Sequence, residues 1–163
     1  MADPIKTVAV LVANPALSSI LSMTLAGASS LRVRPFDTQL ALMTYLHLAP
    51  ADLVVADFDS VPSRADKLAQ DLKSDRAITS RDLQIIALAS ALTAQTKMES
   101  IHAGIDEIIM KPMSPKYLVE RVLARLAKKK TLPERRQSLR KRDWSSYGDN
   151  VVPMRRREAE PQL

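Results

Sequence analysis

Asp52-Leu53-Val54-Val55-Ala56-Asp57 sets four consecutive apolar residues between two carboxylates. A strand exposed on one side would alternate apolar and polar residues. This run does not alternate, so it predicts a strand covered on both faces, as in a parallel sheet sandwiched by helices. Its last residue, Asp57, delivers a charge to the carboxyl end of that strand.

The same signature recurs on either side. Residues 7–12 (Thr-Val-Ala-Val-Leu-Val), 83–88 (Leu-Gln-Ile-Ile-Ala-Leu) and 107–110 (Glu-Ile-Ile-Met) read as strands of the same buried kind. Residues 31–36 (Leu-Arg-Val-Arg-Pro-Phe) alternate and contain Pro35, which cannot donate to a ladder, so this strand is expected near a sheet edge. Helical spacing fills the intervals. Residues 16–25 carry Leu17, Ile20, Leu21 and Leu25, and residues 38–48 carry Leu40, Met43, Leu46 and Leu48. Residues 65–72 and 93–102 follow, and residues 115–127 present Leu118, Val119, Val122, Leu123 and Leu126. Met23, Met43 and Met98 fall at core-type helical positions, while Gly27 and Gly104 stand where the first and fourth helices should stop.

Five strand–helix units in this order predict an α/β fold with one doubly wound parallel sheet. In such sheets the functional crevice opens beyond the carboxyl ends of the strands. Asp57 and Lys111 both fall at such ends, so two opposite charges are expected in one crevice.

Composition separates a domain from a tail. Residues 1–127 hold 13 Lys or Arg and 13 Asp or Glu, whereas residues 128–163 hold 11 and 5, so the whole net charge of +6 lies in the last segment. We therefore read residues 1–127 as the domain and residues 128–163 as a basic, disordered tail poor in residues to bury. Its basic clusters, with Trp144 and Tyr147 as aromatic faces, offer a second functional reading: binding of nucleic acid or an anionic membrane surface. No apolar run approaches the roughly 18–20 residues that span a bilayer, and the N-terminus does not read as a signal peptide. The absence of cysteine excludes thiolate sites and fits a cytoplasmic protein, and two histidines, His47 and His102, are too few for a histidine metal cluster.

Two segments carry a family resemblance: residues 52–57 and Gly104-Ile105-Asp106-Glu107-Ile108-Ile109-Met110-Lys111-Pro112-Met113-Ser114-Pro115. With Val12-Ala13-Asn14-Pro15 after the first strand, they resemble the response-regulator receiver family, the chemotaxis-regulator type of flavodoxin-like (βα)5 fold, over about residues 5–127. The resemblance implies a single-domain, non-enzymatic module of two-component or phosphorelay signalling. A sensor histidine kinase or another signalling protein would be its partner, and the face of the fourth helix, fifth strand and fifth helix would serve for contact or homodimerisation. It further implies that Asp57 is the phosphoacceptor and Lys111 its charge partner.

The remaining family positions depart from the pattern. Val12 and Ala13, or Ala13 and Asn14 if the register slips by one, stand where an acidic pair normally holds magnesium, a hard cation that wants oxygen ligands, and neither choice restores a carboxylate. Ala89 occupies the position of a switch hydroxyl, with Ser90 next to it, and Ile108 that of a switch aromatic. The expectation is a degenerate receiver that needs no cofactor, acts through protein contact, and undergoes weak or no magnesium-dependent phosphorylation. Asp59 has no family role and is expected to face solvent.

Overall fold

The continuous Val, Ile and Leu runs become the centre of one sheet because only a site covered on both faces removes all of their side chains from water. The computed structural model describes residues 3–59, 64–80, 82–127 and 151–153. Strands β1 (Lys6–Leu11), β2 (Leu31–Phe36), β3 (Leu53–Asp57), β4 (Gln84–Ala89) and β5 (Glu107–Met110) alternate with helices α1 (Pro15–Ala26), α2 (Gln39–Leu48), α3 (Ala65–Ser74), α4 (Ala94–Ala103) and α5 (Pro115–Ala127). These five strands are parallel, and a short sixth, β6 (Val151–Pro153), completes the order β2-β1-β3-β4-β5-β6. This is the flavodoxin-like winding, whose order reverses between β1 and β3.

The burial pattern explains the central strands. Every residue of β3 and β4 is buried. Side chains alternate between two cores: Val54, Ala56, Ile85 and Ala87 pack on one face with Leu42, Leu46, Leu68 and Ile108, while Leu53, Val55, Ile86 and Leu88 pack on the other with Leu21, Leu25, Leu118 and Val122. As predicted, β2 is an edge strand; it pairs only with β1, and Pro35 lies within it.

The structure corrects several helix faces. Ile20, Met23, Leu40, Leu48, Met98 and Leu123 are exposed, so none is a core residue. In α2 the buried positions are Leu42 and Leu46, turned away from Leu40 and Leu48. Helix α1 carries no charged residue and α2 only His47 at its end, so a polar face could not be told from an apolar one by spacing. Met43 does pack, half-buried, against the first core.

Side-chain caps start three of the helices, and Gly104 stops the fourth where the sequence placed it. Asn14 Oδ1, Thr38 Oγ1 and Thr93 Oγ1 accept the backbone N–H groups of Leu17, Ala41 and Thr96. Gly104 ends α4 in the left-handed region at φ 82°, its N–H donating to Ser100 and Ile101 carbonyls. A Cβ there would fall 1.6 Å from Lys73 Nζ, the end of a flexible chain that can turn aside. The backbone term remains, so Gly104→Ala should cost roughly 1–2 kcal/mol in a urea denaturation series. An unchanged midpoint would contradict it.

Strand β6 has no counterpart in the sequence reading. It runs antiparallel to β5, pairing Glu107 with Pro153, Ile108 with Val152 and Ile109 with Val151. The expected tail disorder and the tail's basic clusters concern residues 128–150 and 154–163, which lie outside the described residues. Among the described residues no helix is long and apolar enough to cross a membrane.

Candidate functional site

Three strand ends build one cluster. Asp57 closes β3 with its side chain 8% exposed, and Lys111, just past β5, extends Nζ to 3.0 Å from Asp57 Oδ1. The backbone fixes both. Phe58 N–H donates to Leu88 O at 2.7 Å and Lys111 N–H to Ala89 O at 2.8 Å, so the chain leaving β3 and β5 stays registered on β4. The Lys111–Pro112 peptide is cis. The sequence-predicted pair is therefore brought together as an ion pair.

Asp59 joins it: the residue is solvent-exposed, as expected, but its carboxylate also bonds within the cluster, which sequence reading did not foresee. Its N–H donates to Asp57 Oδ1 at 3.0 Å, a local turn that aspartate side chains favour. Its own Oδ2 lies 3.0 Å from Lys111 Nζ and accepts both the N–H and the hydroxyl of Ser90, each at 2.7 Å. Burial pushes the Asp59 carboxyl up, but the Ser90 hydroxyl, Lys111 and the Ser90 N–H outweigh it and hold the group below its usual value. For Lys111, burial favours the neutral amine; the hydrogen bonds and charges of Asp57 and Asp59 outweigh it and raise its pKa.

The other positions are placed as follows. Val12 is buried among the second core and Ala13 is exposed, so the end of β1 brings no oxygen side chain to the cluster. Asn14 cannot substitute as it stands, because its Oδ1 caps α1. Ala89 is buried and the neighbouring Ser90 supplies the hydroxyl. Ile108 is fully buried in the first core, an aliphatic packing residue where the resemblance expects a mobile aromatic.

This donor set does not fit magnesium. The ion wants about six oxygens in near-octahedral array, whereas both carboxylates already face an ammonium and no group of three metal-ligating side chains occurs among the described residues. Asp57 Oδ2 receives no protein donor among the described residues, so the chemistry left to the cluster is anion handling: one cation, one hydroxyl and two N–H groups around two carboxylates.

Arg64 was missed by sequence reading. Its guanidinium lies 4.7 Å from the Phe58 ring centroid and pairs with Glu99 of α4 at 2.8 Å and Asp66 at 3.2 Å, tying the chain beyond Asp57 to α4. A lone Arg ahead of a helix gave no signal of this bridge, whose partners Phe58 and Glu99 are not its neighbours in sequence.

No protein-family model matches the chain, and no curated protein matches it by sequence. Solved structures do match by fold. A CheY-like response-regulator receiver domain protein from Methanospirillum hungatei superposes with a TM-score of 0.66 at 18% identity, covering 76% of this chain and 94% of that one. A response regulator from Thermotoga maritima gives 0.64 at 22% identity, covering 76% and 98%. A chemotaxis response regulator of Vibrio cholerae gives 0.66 at 14% identity, covering 74% and 98%. The domain has the fold of response-regulator receiver domains.

Proposed function

We propose that this chain is a signalling module of the two-component type that works by protein–protein contact in the cytoplasm, with its receiver crevice held as a standing ion-pair cluster. It is a binding module and not an enzyme. The observation that carries this reading is the Lys111 ammonium, 3.0 Å from each of two carboxylates, beside a β1 end that offers Val12 and Ala13. A lysine in that position offsets one of the two negative charges at the strand ends without a metal, so the crevice is occupied in the resting protein.

The fold argues for a sensor kinase or another signalling protein as partner, by analogy with other domains of this architecture. Contact through α4, β5 and α5, including a homodimer across that face, has to reckon with β6, which takes the outer edge of β5. Incubation with acetyl phosphate and magnesium is expected to leave the intact mass essentially unchanged. Addition of one phosphoryl group per chain at Asp57 would overturn the standing-cluster reading.

A further inference from the structure

We propose that the Asp59 carboxylate is a resident anion: it fills an oxyanion subsite made by the Ser90 N–H, the Ser90 hydroxyl and the Lys111 ammonium, and its removal opens that subsite to a free anion of the phosphate class. This deepens the standing-cluster reading and rests on it.

The geometry converges on a single atom. Asp59 Oδ2 accepts two hydrogen bonds of 2.7 Å from Ser90 and faces Lys111 Nζ at 3.0 Å. Three donors on one oxygen, one of them cationic, form an oxyanion receptor, since charge-assisted bonds of this kind are the strong ones. The donors come from the ends of β4 and β5, the elements whose positions the sheet fixes, while the acceptor comes from the turn after β3. The donors thus stand one residue from the sheet, and the occupant is supplied by a turn.

Charge accounts for exclusion. With Asp57, Asp59 and Lys111 ionised, the cluster carries a net negative charge, which repels an incoming dianion at contact distances. Without the Asp59 carboxylate the same cluster is neutral, and the exposed Ser90 donors and the half-buried Lys111 ammonium lose an acceptor. Water or a small oxyanion takes the place of the lost oxygen, and beside an ammonium the anion gains charge-assisted bonds that water does not. A tetrahedral phosphate offers several acceptor oxygens to these donors.

The test is an inorganic phosphate titration of the full chain at constant ionic strength, following the Ser90 and Lys111 backbone amide resonances. In the native protein both amides should stay in place. In Asp59→Ala they should move saturably, with an apparent phosphate affinity raised roughly tenfold or more. Asp59→Asn, which keeps the shape and one acceptor oxygen, guards against a folding defect and should show a smaller gain. Adding Lys111→Met to Asp59→Ala should abolish the movement. Equal movement in the native protein, none in either Asp59 variant, or movement that survives loss of Lys111 would each overturn the proposal. Inorganic phosphate is no phosphodonor, so this outcome is read apart from the acetyl phosphate labelling.

Discussion

Glu107→Ala is expected to lower the folding free energy by about 3–5 kcal/mol, because it leaves buried charges without their counter-ion. Glu107 is fully buried at the start of β5, and its two carboxylate oxygens meet two guanidiniums of α5 one turn apart. Arg121 Nε lies 2.6 Å from Oε1, and Arg125 Nε pairs with Oε2. Arg125 also donates to Asp106 O at 2.8 Å, and Gln84 Nε2 donates to Arg125 O at 2.9 Å, so the carboxylate anchors α5 to the amino ends of β4 and β5. Without it, two like charges with side chains only 14% and 17% exposed face one cavity. Urea denaturation at neutral pH reads the loss directly. The companion variant Glu107→Leu with Arg121→Met and Arg125→Met should recover most of the stability, since apolar residues of similar volume replace such triads at little cost. A single-variant loss below about 1 kcal/mol would place this triad in the class of weak surface pairs instead.

The second large effect is expected at Lys111→Met, about 2–3 kcal/mol at neutral pH, less than for a fully buried pair because Asp59 is 39% exposed. Methionine keeps the length of the chain, so the loss reports charge. The pH profile gives the sign. The folded pKa of Asp59 is depressed, so its contribution is present above about 3.9 and lost as pH falls through the lower folded value. The folded pKa of Lys111 is raised, so its contribution is fully present below about 10.4 and lost as pH climbs through the higher folded value. Between those limits the native cluster adds no slope. In Lys111→Met two carboxylates face each other without a cation, so acidification relieves repulsion. The stability gap to the native protein should narrow from pH 7 toward pH 4. A gap that widens on acidification would refute the ion-pair account.

The parts legible in the sequence are those that local pattern dictates. The unbroken apolar runs of β3 and β4 identified buried parallel strands, and Asp57 and Lys111 were found because a strand end has a fixed place in such a sheet. Other parts depend on how elements meet. Glu107 was read within a strand, but its pairing with Arg121 and Arg125 needs the path of α5 across β5. Asp59 sits two residues past a strand, and only the path of that turn brings its exposed carboxylate to Ser90 and Lys111. The exposed Leu40 and Leu48 were misassigned because α2 is apolar almost all round, which leaves periodicity nothing to register. A three-residue strand in a basic segment offers too short a pattern to find.

That short strand changes the terms of any encounter at β5. A partner that would add its own strand to this edge meets no vacant ladder, since β6 already pairs with Glu107, Ile108 and Ile109. It must displace a rival carried on the same chain, one that dilution does not remove, and its apparent affinity falls by the cost of that displacement. On the opposite side the sheet ends in β2, where Pro35 and the exposed Arg32 and Arg34 discourage pairing. The sheet is thus guarded differently at its two margins: permanently at β2, and at β5 by a tethered competitor that a sufficiently strong binder can evict.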